Sequence, residues 1–276
     1  MPPSPNNTTL GNGVNIQPSY YNNGVVDFGW SLMEKYSNIL SVRIEIEPDK
    51  AGAAANWIAA AMDNNYQVIA TYHKYTVLGS DDPNELIAAA TWWRNNYQNL
   101  GGGFLINLMN EWGSHHISST DYANAYNQAI TIVREVYDGP IIIDLPGWGQ
   151  DVDTAANAAN ITNGLINDDN IVLSAHIYKS SWNSGTGEFF APADIDTLIA
   201  SGRPCLIGEF GPVGNGTCNW SACVDYASQQ GLIVIGWCWN GDGNGNNMVT
   251  PSWKTNPTAK KFSINKAYFN TIYNKL

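Results

Sequence analysis

Eight short apolar runs recur along the chain and constrain its fold more than any other feature. They lie at 13–17, 39–46, 67–73, 104–111, 140–146, 171–178, 205–211 and 232–240. A unit of about 30 residues, with a helical stretch after each run, is typical of eight parallel strands closed into a barrel. Nearly continuous apolar strands also fit a parallel sheet covered by helices. We therefore predict a single-domain (β/α)8 TIM barrel over 1–276, with 1–10 as a flexible N-terminal segment.

The stretches between the runs carry helix signals. Helices are predicted at 51–64, 83–100, 119–137 and 264–276. Pro83 suits the first turn of a helix, and Ser119 and Thr120 are good N-caps. The alternative is a doubly wound open sheet, which typically has a glycine-rich phosphate fingerprint after its first strand. No such fingerprint follows residue 17, so the barrel is favoured.

The charge balance excludes several classes of partner. Asp and Glu outnumber Lys and Arg by 24 to 13, and the net charge is −11. Nucleic acids and anionic membranes attract basic patches, so neither is an expected partner. A neutral polymer is compatible with this charge. The chain also has 11 Trp and 14 Tyr, which serve as core or as flat platforms beneath sugar rings.

The N-terminal residues and the N-glycosylation acceptor motifs give information on where the protein is located. The first ten residues are polar and lack the apolar region of a signal peptide. A Met before this Pro/Asn/Thr-rich stretch suggests a mature domain whose natural leader is missing, so we expect a secreted, extracellular protein. Five glycosylation acceptor motifs fit secretion. They begin at Asn6, Asn7, Asn160, Asn215 and Asn219.

The four cysteines permit three disulfide pairings and have no zinc-binding spacing. Cys218 and Cys223 are close enough in sequence to close a small loop. We predict a disulfide between these two, with free buried thiols as the alternative.

The carboxyl ends of the predicted strands collect polar and aromatic residues. These residues are Arg43, Glu45, His73, Asn110, Glu111, Asp144, His176, Tyr178, Glu209, Trp237 and Trp239. In barrels of this kind, the chemistry lies at that end. Glu111 and Glu209 close the fourth and seventh strands. Two facing carboxyl groups are what glycoside hydrolysis needs, one to donate a proton and one to attack the anomeric carbon.

The segments around these carboxylates resemble a known family. "LMNEWG" on the fourth strand and "LIGEFG" on the seventh are similar to the acid/base and nucleophile segments of retaining (β/α)8 glycosidases, and most similar to glycoside hydrolase family 5. That family also has Arg on strand two, His on strand three, His-x-Tyr on strand six and Trp on strand eight. All are present in order: Arg43, His73, Asn110, Glu111, His176, Tyr178, Glu209 and Trp239.

The resemblance implies a role for each carboxylate. Glu111 is the expected acid/base, with a pKa raised by burial and by a second carboxylate. Glu209 is the expected nucleophile, held ionised by Arg43 and Tyr178. Asn110 suits a hydrogen bond to the sugar 2-hydroxyl.

The remaining members of the set are expected to bind substrate. His73 and His176 suit hydrogen bonds to sugar hydroxyls or to the catalytic carboxylates. Trp239 is expected to form the apolar floor beneath the sugar at the cleavage point. Trp237 shares its strand parity and is a secondary candidate, with barrel filling as the alternative.

Other polar residues near the strand ends have simpler interpretations. His115 and His116 lack metal-ligand spacing and are interpreted as loop residues near the cleft. Glu45 is expected to balance Arg43, and Glu47 to leave the barrel. Residues 241–247 resemble a calcium loop but lack its closing Glu. No metal and no cofactor are expected.

The most specific prediction concerns the substrate. The segments 70–82, 106–115 and 236–248 are similar to endo-β-1,4-mannanases of the family, which implies an enzyme that cleaves internal bonds of β-mannan. Separately, a monomer is expected. Cellulose differs from mannan only at the C2 hydroxyl, so an endo-β-1,4-glucanase is the alternative. A catalytically silent carbohydrate-binding barrel is the third interpretation.

Overall fold

The computed structural model describes residues 10–276. Within this range, eight parallel strands close into a barrel in which each strand pairs with its neighbours in sequence and β8 pairs with β1. The strands are β1 (Gly13–Ile16), β2 (Ser41–Ile46), β3 (Gln67–Tyr72), β4 (Leu105–Asn107), β5 (Ile141–Asp144), β6 (Ile171–Ile177), β7 (Cys205–Phe210) and β8 (Ile233–Asn240). The predicted (β/α)8 barrel is confirmed. The predicted flexible segment 1–10 lies, apart from residue 10, outside the described residues.

Helices alternate with the strands along the chain. They are α1 (Trp30–Met33), α2 (Ala51–Asp63), α3 (Pro83–Asn96), α4 (Ser119–Val133), α5 (Pro146–Gly149), α6 (Val152–Ala159), α7 (Pro192–Ala200), α8 (Trp220–Gln229) and α9 (Lys266–Tyr273). All four predicted helices are present, with shorter ends. The N-cap of α4 is Ser118, whose hydroxyl accepts a hydrogen bond from the Asp121 N–H. The predicted caps, Ser119 and Thr120, lie inside the helix.

The barrel interior is layered. Near the amino ends of the strands, Ile69, Ile142, Leu206 and Ile235 form a small buried apolar cluster. Polar side chains that include Asn15, Arg43 and Asn107 are buried further along the strands. The apolar layer separates the charged groups above it from the amino end of the barrel, and the cleft opens at the carboxyl end.

The cysteines contradict the predicted disulfide. Cys205, Cys218, Cys223 and Cys238 are all free thiols. Cys218 and Cys223 both donate to the carbonyl oxygen of Phe190, at 3.2 and 3.5 Å. Because this carbonyl accepts from both thiols, the pair is satisfied inside the core without a covalent bond, and the alternative of free buried thiols holds.

One further feature concerns membranes. Among the helices of residues 10–276, none combines the length and the apolar character that a membrane span requires.

Candidate active site

Glu111 and Glu209 meet at the carboxyl end of the barrel. Glu209 is on β7, and Glu111 follows β4. One oxygen of each carboxylate and one ring nitrogen of His176 all lie within 4.8 Å of one another. The Glu209 side chain is 5% exposed and that of Glu111 is 12% exposed. The barrel therefore brings together two carboxylates that are 98 positions apart in the sequence.

The backbone at Glu111 differs from the prediction. The run 104–111 was expected to be one strand, but β4 ends at Asn107 and Glu111 has a left-handed φ of 50°. Two hydrogen bonds hold this conformation: the Glu111 N–H donates to Asp144 Oδ2 at 3.1 Å, and its carbonyl accepts from the Gly79 N–H at 2.8 Å. Such a backbone costs about 1–3 kcal/mol and persists only where its surroundings enforce it.

Arg43 lies at the centre of the charged and polar side chains beneath the cleft. Its buried guanidinium donates to Glu209 Oε1 at 2.7 Å and to Glu45 Oε1 at 3.1 Å. It also donates to Asn110 Oδ1 at 2.5 Å and, through Nε and Nη2, to Asn107 Oδ1. Sequence reasoning missed Asn107. The signal was present, because an Asn inside the apolar run "FLINLM" is out of place unless it has a buried polar partner.

The surroundings of Glu209 favour its ionised form. Burial raises the pKa of Glu209, but the positive charges of His176 and Arg43 and a hydrogen bond from Tyr178 outweigh it and hold the pKa below its usual value. The Tyr178 hydroxyl donates to Glu209 Oε2 at 2.5 Å. The two residues expected to keep Glu209 charged are thus in contact with it.

His176 connects the two carboxylates. Its Nδ1 donates to Glu111 Oε1 at 2.9 Å and lies 3.6 Å from Glu209 Oε1. Asp144 Oδ2 lies 3.5 Å from its Nε2. Burial lowers the pKa of His176, but the charges of Glu209 and Asp144 and the hydrogen bond to Glu111 outweigh it and raise the pKa to about 10. Asp144 has a pKa of about 2, because His176 and Arg43 outweigh its burial.

A second acidic cluster lies beside Arg43. Glu45 Oε2 accepts from Gln17 Nε2 at 2.6 Å, and burial, which outweighs the His73 and Arg43 charges, raises the pKa of Glu45 to about 7. His73 Nδ1 lies 2.9 Å from Glu47 Oε1, which also accepts from the Tyr20 hydroxyl. Glu47 lies past the end of β2, as expected, and its carboxylate is held beside His73 by hydrogen bonds with His73 and Tyr20.

The two tryptophans of β8 exchange their predicted places. Trp239 has no exposed surface, and its indole N–H donates to the carbonyl of Phe28 at 2.8 Å. Trp237 lines the cleft. Strand parity failed because β8 is irregular here: β1 advances from Val14 to Ile16 while its partner on β8 advances from Gly236 to Asn240. Trp239 therefore does not reach the cleft, and the secondary candidate, Trp237, does.

An open cleft of about 530 Å³ lies above these residues. Both carboxylates line it, together with aromatic and polar side chains from the loops after several strands. These include Gln17, Tyr20, Tyr21, Glu45, His73, Tyr75, Asn110, Tyr178, Trp237, Asp242 and Lys254. Flat aromatic walls with a few converging polar groups are typical of a site for a small or chain-like ligand. Of the nine predicted site residues, all except Arg43, His176 and Trp239 line the cleft; Arg43 and His176 lie directly behind it.

Comparison with known sequences decides the family. The sequence model described as "Cellulase (glycosyl hydrolase family 5)" matches residues 26–243. The chain belongs to glycoside hydrolase family 5. The resemblance found in the sequence is therefore confirmed.

The individual relatives of this family 5 chain share less than a third of its sequence in the matched regions. It is 29% identical over 144 residues to the mannan endo-1,4-beta-mannosidase of Streptomyces lividans, a match over 48% of this chain and 35% of that protein. It thus spans about a third of that relative. The catalytic domain of a mannanase from Streptomyces sp. SirexAA-E has a similar structure: TM-score 0.73, 19% identity, 97% of this chain and 85% of that chain. The catalytic domain of the Thermobifida fusca endoglucanase Cel5A is equally similar, with a TM-score of 0.73 and 18% identity. The match covers 96% of this chain and 91% of that chain.

The histidine and carboxylate side chains of this family 5 site are potential metal ligands. Among residues 10–276, Glu111, His176 and Glu209 form the one group of three or more such side chains close enough to share an ion. The expectation that no metal is used stays a prediction. His115 is a loop residue bonded to Asp151 at 2.8 Å, as expected of a loop histidine near the cleft. Within the loop 241–247, Asp242 Oδ2 accepts hydrogen bonds from the backbone N–H and the side-chain amide of Asn246.

Proposed function

We propose that this family 5 protein is a retaining endo-β-1,4-mannanase that hydrolyses internal bonds of mannan, galactomannan and glucomannan. The observation that carries the proposal is the pair of carboxylates, Glu111 and Glu209, with oxygens within 4.8 Å of one another at the base of an open cleft. Retaining glycosidases hold their carboxyl groups about 5–5.5 Å apart, whereas inverting enzymes leave about 6.5–9.5 Å for a water molecule. The pair fits the retaining mechanism.

The first step forms a glycosyl ester. Glu209 attacks the anomeric carbon while Glu111 donates its proton to the glycosidic oxygen, and the leaving sugar departs as an alcohol. The positive charges of Arg43 and His176 keep Glu209 ionised before attack. Tyr178 donates to the Glu209 oxygen Oε2 and so orients the carboxylate.

The second step releases the product. Glu111, now a carboxylate, removes a proton from water, and the resulting hydroxide attacks the anomeric carbon and displaces Glu209. The product keeps its β configuration because two inversions cancel. Glu111 has the greater exposure of the two carboxylates, which suits a group that must meet water in this step.

The choice of mannan rests on resemblance. The curated relative is a mannan endo-1,4-beta-mannosidase, and three segments of the chain are similar to family 5 mannanases. A second candidate, endo-β-1,4-glucanase, is favoured by the equal structural similarity of the Thermobifida fusca endoglucanase. A silent carbohydrate-binding barrel does not account for the retention of both carboxylates with all their charged partners.

One experiment separates the candidates. Reducing ends released from galactomannan, linear mannan and carboxymethylcellulose are measured in parallel, with Glu209→Gln as the inactive control. A mannanase gives the higher rate on the mannans, with a rapid drop in galactomannan viscosity per bond cleaved. A higher rate on carboxymethylcellulose would replace mannanase by glucanase, and no release from any polymer would contradict both.

We further propose that the protein acts outside the cell, as a monomer and without a cofactor. The acceptor residues Asn215 and Asn219 are exposed, which supports glycosylation in a secretory pathway. Detection of the protein in culture medium and its mass by light scattering test the first two points. Undiminished activity after dialysis against a chelator tests the third.

A further inference from the structure

Asp144 is a buried carboxylate that takes no part in the two proposed steps. It is the last residue of β5, in the apolar run "IIID", and 0% of its surface is exposed. A buried charge is costly unless it is paired and hydrogen-bonded. The partners of this carboxylate therefore indicate what the residue does.

The Asp144 carboxylate accepts hydrogen bonds on both of its oxygens. Oδ1 accepts from the side-chain amide of Asn107 at 3.1 Å. Oδ2 accepts from the backbone N–H of Glu111 at 3.1 Å and from Nη2 of Arg43 at 3.4 Å. An ionised carboxylate has acceptors only, so it can satisfy donors on both sides at once.

A side-chain amide at position 144 could not do the same. The Asn107 amide cannot turn round, because its Oδ1 already accepts from Arg43 and from the Thr71 hydroxyl. An Asn at 144 would therefore place its NH2 group against the amide of Asn107 or against the N–H of Glu111. Either arrangement sets donor against donor and leaves a buried group unsatisfied. The position requires a carboxylate.

Asp144 is connected to both the backbone and the side chain of Glu111. Glu111 lies past the end of β4, and Asp144 is the hydrogen-bond partner of its N–H. The Glu111 carboxylate is bonded to Nδ1 of His176, and Nε2 of the same ring lies 3.5 Å from Asp144 Oδ2. Glu209, in contrast, is bonded to Nη1 of Arg43 and to Tyr178. A change at Asp144 should therefore affect Glu111 more than Glu209.

We propose that Asp144 is a positioning residue for the acid/base, which holds the Glu111 carboxylate at the distance and angle needed for proton transfer. The inference rests on the proposed function, in which Glu111 moves the proton in both steps. Proton transfer requires heavy atoms within about 2.6–3.2 Å of each other. A misplacement of about 1 Å costs about 10²-fold in rate.

The test uses substrates that differ in their need for a proton. In Asp144→Asn, kcat on oligosaccharides of the preferred sugar should fall about 10²-fold, with KM nearly unchanged. Pre-steady-state release of dinitrophenol from a dinitrophenyl glycoside should be nearly unchanged, because that leaving group needs no proton. In a Glu111→Gln background, Asp144→Asn should add no further loss, because a residue that acts through Glu111 then has no carboxyl group to position.

Tyr122→Phe is the matched control. The Tyr122 hydroxyl donates to the backbone carbonyl of Asp144 at 2.7 Å, so its loss perturbs the same buried strand end. We expect lower stability in urea and the wild-type ratio of rates on the two substrates. If Asp144→Asn does not fold, Asp144→Glu, which keeps a carboxylate, takes its place in the same measurements.

The outcomes separate the inference from the function on which it rests. Equal losses on the two substrates, or a loss that multiplies with that of Glu111→Gln, would overturn the positioning role and leave the proposed function intact. A wild-type protein that cleaves neither mannose nor glucose oligosaccharides would overturn the proposed function and this inference with it.

Discussion

The two carboxylates that we propose as catalytic, Glu209 and Glu111, have contrasting surroundings. Glu209 is on a barrel strand, and Arg43, His176 and Tyr178 surround it with positive charge and a hydroxyl donor. Glu111 lies past the end of its strand, on a left-handed backbone, with His176 as the hydrogen-bond partner of its carboxylate. A nucleophile must stay ionised and in one place, which a rigid charged network ensures. An acid/base must exchange protons with sugar and water, which a more accessible position past the strand end allows.

The largest effect is expected at the enclosed carboxylate. Glu209→Gln removes the nucleophile without changing its shape, so hydrolysis of polymer and of activated aryl glycosides should both fall below detection. A 2-fluoro-glycoside should label the wild-type peptide that contains Glu209. Label on a different peptide would contradict the assignment of Glu209, rather than Glu111, as the nucleophile.

A smaller and substrate-dependent effect is expected at Glu111, the more accessible of the two carboxylates. Glu111→Gln cannot cycle a proton, so polymer hydrolysis should fall by about 10²–10⁴-fold. Formation of the ester from a dinitrophenyl glycoside, whose leaving group needs no proton, should be affected far less. Pre-steady-state release of dinitrophenol measures that step. Equal losses on both substrates would contradict the acid role of Glu111.

Much of this arrangement could be predicted from the sequence because it depends on strand order. Eight apolar runs at regular spacing specify the barrel, and the barrel places the ends of β4 and β7 on one rim. Local backbone irregularities could not be predicted. The left-handed Glu111 depends on hydrogen bonds to Asp144 and Gly79, which are distant in sequence. The positions of Trp237 and Trp239 depend on a register shift that no alternation pattern shows.

The tryptophans offer a direct test of that register shift. Trp237→Ala removes cleft surface and should lower kcat/KM on oligosaccharides about tenfold, equivalent to about 1.4 kcal/mol. Trp239→Phe leaves the buried carbonyl of Phe28 without its donor, so its cost should appear as about 1–3 kcal/mol of unfolding free energy with nearly unchanged kinetics. Urea denaturation and steady-state rates of both variants separate the roles. The reverse pattern would restore the prediction from strand parity.

The last effect is expected on stability rather than on catalysis, in the acidic cluster beside Arg43, where the pKa values of two carboxylates are shifted in opposite directions. Burial raises the pKa of Glu45 to about 7. Between about pH 4.5 and 7 the folded state therefore holds a proton at Glu45 that the unfolded state has released, and stability falls as pH rises through this window. The unfolding free energy of wild type relative to Glu45→Gln should decline steadily across it.

Glu47 is the matched control, because it belongs to the same cluster and is shifted the other way. Although burial raises its pKa, hydrogen bonds from His73 and Tyr20 lower it further, to below its usual value. The stability that Glu47 contributes is present above about pH 4.5 and is lost as pH falls below it. Denaturation of wild type, Glu45→Gln and Glu47→Gln from pH 3 to 8 should give difference curves of opposite slope in these two windows. Curves of the same sign would show that Glu45 is stabilised as a carboxylate by Arg43, as Glu209 is, and would extend the charged network to the whole floor of the cleft.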